Sequence, residues 1–286
     1  MLVRTTEDAG RTSLVRVRSR GMRDVTEGRF STGVPYLRLG HGPPLVVASG
    51  LTAEHANPTG MWRRSSLTWA APFAAHFTVY LVNRKPGLLP GATMADLAGD
   101  YADTFERDLG RSVLLHGTST GGSVALQLAI DRPELVERLV VAGAACRLSP
   151  RGREVQAELL RLTEAGDARR ALAYLAGTQV PRAVAPLARG AGWIMGRSFI
   201  ASDPSDMLFT LAAEDVFDVE SRLTRIRAPT LVLGGTDDVF YSEDLFRRTA
   251  EGIPGGQAVI FPGKSHVQVA GSKVAAGIAL GYLLAS

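Results

Sequence analysis

Cysteine is almost missing from this chain: Cys146 stands alone among 286 residues. That excludes an internal disulfide framework and a cysteine-based metal site, and its place at the end of an apolar run predicts a small packed side chain. Lysine is nearly as scarce, confined to Lys85, Lys264 and Lys273. The other cations are arginines, spread along the chain with Asp or Glu close by. Net charge is +4, with no patch that concentrates it, so nucleic acid is not an expected partner. No apolar run reaches the roughly 18 residues a bilayer crossing needs. The longest, over 274–284, is broken by Gly277 and Gly281 and predicts a core-facing terminal helix. No apolar segment of secretory type opens the chain, so the expected location is cytoplasmic. Histidine and carboxylates do not cluster at metal-ligand spacing. Neither G-x-x-x-x-G-K-[ST] nor G-x-G-x-x-G stands at a strand–helix junction. No metal or organic cofactor is expected.

What is present is a globular text, 45% hydrophobic and 21% charged, long enough for a large core. Strand patterns over 34–39, 45–48, 78–82, 113–116, 139–142, 230–234 and 258–261 alternate with helical patterns over 62–75, 93–108, 123–130 and 242–251. The first two strands read as a pair joined by a hairpin-like turn at Gly40-His41-Gly42-Pro43-Pro44. Alternation of this kind implies parallel strands with helices on both faces, an α/β class. The interval 147–216 breaks the rhythm with helical segments and no strand. Its Trp193, Ile194, Met195, Phe199, Ile200 and Phe209 need somewhere to bury, so it reads as a helical cap inserted between core halves at 28–146 and 217–286. Residues 1–27 form an arginine-rich arm, either loose or an edge strand at 14–18.

The most informative stretch is Gly117-Thr118-Ser119-Thr120-Gly121-Gly122, between a strand pattern and a helix pattern. A serine at such a turn, with glycine two places to each side, is the nucleophile-elbow arrangement. A serine hydroxyl needs a base, and the base needs an orienting group. Of the five histidines, His41 and His76 sit at a turn and a helix end, and His116 ends the strand before the serine. His55 lies in the loop after strand 45–48, where it would line a pocket. His266 follows the strand 258–261, so it leaves the carboxyl edge of the sheet, as Ser119 does, where ligands gather in open α/β sheets. His266 is therefore the expected base. The carboxylate should leave the same edge, and Gly235-Thr236-Asp237-Asp238 offers two neighbours. Only one can point inward, and the Gly-x-x-Asp spacing favours Asp238.

Serine, aspartate and histidine in that chain order, on Gly117-x-Ser119-x-Gly121, Gly235-x-x-Asp238 and Pro262-Gly263-x-x-His266, resemble a capped α/β-hydrolase of the bacterial esterase and perhydrolase type. The resemblance runs from about residue 31 to the end, and Asn83-Arg84-x-Pro86-Gly87 echoes a turn common in such relatives. It implies an α/β-hydrolase fold, a mostly parallel twisted sheet with helices on both faces. It also implies an oxyanion hole formed by the backbone amides of Leu51 and Thr120. Ser49-Gly50 stands where many relatives carry His-Gly, but main chain is the donor, so the hole survives that change. Trp193, Met195, Phe199, Met207 and Phe209 of the cap, with His55, are the candidate pocket wall. The expected activity is hydrolysis of a small carboxylic ester through an acyl-serine. Perhydrolase, lactone, thioester and carbon–carbon chemistry, or a low-turnover ligand sensor, are the alternatives on the same residues. The sequence sets no oligomeric state.

Overall fold

The computed structural model describes residues 25–285, so the expected strand at 14–18 lies outside the described residues. Eight strands form one sheet in the order β1-β2-β4-β3-β5-β6-β7-β8. They are β1 (Thr26–Arg29), β2 (Pro35–Leu39), β3 (Pro44–Ala48), β4 (Thr78–Val82), β5 (Val113–Thr118), β6 (Val136–Ala142), β7 (Thr230–Gly235) and β8 (Gln257–Phe261). The first two pairings, β1 with β2 and β2 with β4, are antiparallel. All the others are parallel.

Side chains alternate across the strands with period two, and both sets are apolar because both faces are covered. Val46 and Ala48 of β3, Val113 and Leu115 of β5, Leu139 and Val141 of β6 and Val232 of β7 face one buried cluster. That cluster is closed by α2 (Met94–Thr104), α3 (Thr120–Asp131) and α8 (Glu243–Gly252). Leu45, Val47, Leu114, Val140, Ala142, Leu231 and Leu233 face the other, covered by α1 (Gly60–Ala70), α9 (His266–Ala270) and α10 (Lys273–Leu284). Cys146 is fully buried in the first cluster, packed as a small apolar side chain.

Two local expectations change. The segments at 34–39 and 45–48 are strands, but not a hairpin pair. β4 lies between them, antiparallel to β2 and parallel to β3, so the connection at 40–43 spans a strand. The helix expected over 62–75 ends at Ala70, and a separate 3-10 turn, Phe73–Ala75, follows Pro72. A proline lacks the amide that would continue the helical ladder, and it disfavours helical geometry in the residue before it.

Between β6 and β7 the chain makes an excursion through α4 (Pro150–Glu164), α5 (Ala168–Thr178), α6 (Ala185–Met195) and α7 (Ser205–Asp215). Leu159, Leu162, Ala171, Met207 and Leu211 form its own buried cluster, and Leu51, Phe199 and Ile200 pack against it. The excursion leaves and returns at one point. Arg147 bridges to Asp218, and Val219 N–H donates to the Cys146 carbonyl at 3.0 Å.

Candidate active site

Ser119 sits between β5 and α3 with φ 53° and ψ −129°. It is the single non-glycine residue with positive φ among the described residues. The turn is tight because α3 starts hard against the sheet. A Cβ on Gly117 would stand 2.5 Å from the Gly121 carbonyl oxygen, and one on Gly121 would run into Ala48 O. No side chain fits at either place, which is the physical content of the glycine spacing. Strain of this kind costs about 1–3 kcal/mol. Here it is held by the Ser119 N–H, which donates to Ala142 O at 2.9 Å, and by a fully buried helix behind it.

His266 opens α9 after β8, with its Nε2 2.9 Å from Ser119 Oγ. Its Nδ1 lies 2.9 Å from Asp238 Oδ2. Satisfying both contacts requires the proton on Nδ1, donated to the carboxylate, so that Nε2 accepts from the serine hydroxyl. The Asp238 side chain is fully buried, and its other oxygen accepts from Phe240 N–H at 2.8 Å and Tyr241 N–H at 3.1 Å. Those bonds anchor the carboxylate before the imidazole uses it. Phe240 stands edge-on to the His266 ring at 4.9 Å and Tyr241 lies nearly parallel to it at 6.1 Å. Asp237 is exposed and accepts from the Thr236 hydroxyl. His41 and His76 are exposed. His116 is buried between Trp69 and Phe73.

The N–H groups of Leu51 and Thr120 donate to no backbone acceptor among the described residues. Their loops meet at Gly50, where a Cβ would stand 3.2 Å from Ser119 Cβ. The loop is organised by two residues whose weight sequence reasoning missed. Asn83 donates to Glu54 O and Ala56 O. Arg84 is 1% exposed and donates to Ser49 O, Gly50 O, the Thr52 hydroxyl and His55 Nε2, at 2.9–3.0 Å. Burial holds its guanidinium below the ordinary value, while Tyr101, Glu214 and Asp206 work the other way. The Asn83-Arg84-Lys85 turn just past an apolar strand was the available signal.

The expected pocket wall divides. Phe199 and Met207 belong to the apolar cluster on which Leu51 packs. Phe209 is half-buried. Trp193 and Met195 are 50% and 57% exposed, and the Trp193 ring lies under the Arg169 guanidinium of α5. His55 is buried and tied up at both nitrogens, by Lys85 O at Nδ1 and by Arg84 at Nε2. It joins the loop to the core instead of facing a ligand.

A largely parallel sheet carrying a hydrogen-bonded serine, imidazole and carboxylate at its carboxyl edge defines the α/β-hydrolase class of fold. The comparison with known sequences agrees. The chain belongs to the alpha/beta hydrolase family, whose pattern matches residues 39–274, and it is an enzyme of that family acting on small molecules. RutD of Klebsiella pneumoniae strain 342, provisionally named a carbamate hydrolase, is 30% identical over 79% of this chain and 85% of its own. Carboxylesterase YbfK of Bacillus subtilis is 25% identical over 81% of each chain. The crystal structure of a hydrolase from Pseudomonas aeruginosa PA01 superposes with a TM-score of 0.72 at 23% identity, covering 93% of this chain and all of that one. Among the described residues no helix is long and apolar enough to cross a membrane.

Proposed function

We propose that the protein hydrolyses carboxylic esters with apolar acyl groups through an acyl-Ser119 intermediate. The observation that carries this reading is the line Ser119 Oγ to His266 Nε2 to Asp238, with both contacts at 2.9 Å. His266 takes the hydroxyl proton as Oγ attacks the carbonyl carbon, and Asp238 holds the imidazolium that forms. The amides of Leu51 and Thr120 receive the oxyanion. Collapse breaks the carbon–oxygen bond, and the imidazolium returns its proton to the leaving alkoxide. Water then attacks the acyl-enzyme, giving one proton to His266, and the free acid leaves as Ser119 recovers its hydrogen.

The apolar acyl preference rests on Leu51, whose amide is the oxyanion donor of this reading while its side chain packs against the apolar cluster of the inserted helices, which contains Met207 and Leu211. A second reading, carbamate hydrolysis, is favoured by the similarity to RutD, and the same groups would serve a carbamate carbonyl. Turnover of chromogenic acyl esters of graded chain length, beside a matched aryl carbamate, tests both. Wild type should hydrolyse the esters, and Ser119→Ala should lose activity by at least a thousandfold. Retention of wild-type turnover by that variant would overturn the reading.

A further inference from the structure

Asp206, Thr210 and Glu214 lie at i, i+4 and i+8 on α7, so they share one helix face, and each of the three grips the core. Asp206 accepts from Gly87 N–H at 2.9 Å and Leu88 N–H at 2.7 Å. The Thr210 hydroxyl lies 3.2 Å from His55 Nε2. Glu214 reaches deepest. Its Oε2 accepts from the Thr120 hydroxyl at 2.8 Å, and its Oε1 from the Ser123 hydroxyl at 2.9 Å and the Tyr241 hydroxyl at 3.2 Å. Glu214 is 4% exposed. A carboxylate so far from water stays only where donors surround it. Here three hydroxyls do so, at the N-terminal turn of α3, whose dipole favours a negative charge.

The three donors sit at two places in the reacting centre. Thr120 directly follows the nucleophile and supplies an oxyanion amide. Tyr241 donates its own N–H to Asp238 Oδ1 and lies nearly parallel to the His266 ring. Burial first, and then the Glu214 carboxylate, push the Tyr241 hydroxyl well above its ordinary value, so it remains a donor. Glu214 accepts no hydrogen bond from Ser119, His266 or Asp238, and it reaches Thr120 through the hydroxyl, not the amide.

We infer that Glu214 is a positioning residue: one carboxylate, carried on the inserted helices, sets the amide of Thr120 and the loop of Asp238 against each other around Ser119. The inference rests on the hydrolase reading of that serine. A misplaced oxyanion donor weakens transition-state binding and leaves ground-state binding almost untouched. The expected signature is therefore a split between kcat and KM, which a purely structural role would not produce.

The test compares wild type with Glu214→Gln, Thr120→Val and Tyr241→Phe, and with the Glu214→Gln/Thr120→Val double variant, on one chromogenic ester. Thr120→Val keeps the backbone amide and removes only the hydroxyl that Glu214 holds. Glu214→Gln should lower kcat by about tenfold or more, with KM within about twofold and a folded thermal transition retained. Thr120→Val and Tyr241→Phe should each lower kcat severalfold. The double variant should lose much less than the product of the single effects, because both changes cut the same contact. Wild-type kcat in a folded Glu214→Gln, or multiplicative losses in the double variant, would overturn the inference. Should Glu214→Gln fail to fold, unchanged kcat in both hydroxyl variants overturns it equally. Wild type that turns over no ester and takes no fluorophosphonate at Ser119 would instead sink the hydrolase reading.

Discussion

Arg84 donates through Nε to His55 Nε2 at 2.9 Å, and the contact fixes the histidine as a neutral acceptor. Its remaining proton therefore sits on Nδ1, 3.0 Å from Lys85 O. Burial first, and the Arg84 charge second, lower His55 to about 4, with Lys85 O and Asp206 pulling the other way. His116 is likewise lowered to about 4, by burial.

These two rings predict an acid limb in stability. Unfolded, each takes a proton near pH 6.5, whereas folded, each resists until about 4. The unfolded chain binds more protons between those values, so stability should fall as pH drops from about 6.5 towards 4, by on the order of 3 kcal/mol for a fully buried ring. Thermal melts at pH 7 and pH 5 check this. His116→Phe, packed on Trp69 and Phe73, should show a smaller loss between the two than wild type; an unchanged loss would assign the limb elsewhere.

Arg84 spans two adjacent carbonyls, Ser49 O and Gly50 O, with separate nitrogens. Lysine has the charge without the planar fork. Arg84→Lys should therefore lower kcat by about tenfold or more through a loosened Leu51 amide, and lower the melting temperature as well. A variant with normal kcat would show that the loop holds its shape unaided.

Ser119 occupies a backbone region that glycine enters without strain. Ser119→Gly and Ser119→Ala should both be inactive, yet the glycine variant should be the more stable by about 1 kcal/mol despite its greater entropy on unfolding. Paired denaturant titrations measure the difference. An alanine variant of equal or higher stability would mean that the turn stores no strain.

Asp238 carries the bond to His266 while its neighbour Asp237 faces solvent. Asp238→Asn should reduce kcat by roughly a thousandfold or more by presenting the wrong partner to Nδ1–H. Asp237→Asn should stay within about twofold of wild type. Steady-state kinetics on the two variants decide between the neighbours, and equal losses would argue against Asp238 as the sole orienting group.

The sheet was legible because its strands are short apolar runs cut by glycine and proline, as at Pro44–Ala48 and Val113–Thr118. The serine, imidazole and carboxylate were legible because each follows such a run at one sheet edge. Strand order was less so: nothing local at Gly40-His41-Gly42 says that β4 will slide between β2 and β3. The aromatic residues near 193–199 were misread in part because burial depends on which side of α6 meets the core, and Trp193 turns outward under Arg169. Arg84 was noticed only as part of a turn, and Glu214 not at all, for a different reason. A buried charge takes its meaning from partners far along the chain, 35 residues away for Ser49 and 94 for Thr120.

Because β6 and β7 are neighbouring rungs of the sheet, the helices between them can lengthen, shorten or be exchanged without re-registering a single strand. Such a transplant is free in topology and constrained in chemistry. Any foreign segment grafted between Arg147 and Asp218 must bring its own acceptor for the hydroxyls of Thr120, Ser123 and Tyr241. Chimaeras that match only shape would then fold with three buried donors left empty-handed.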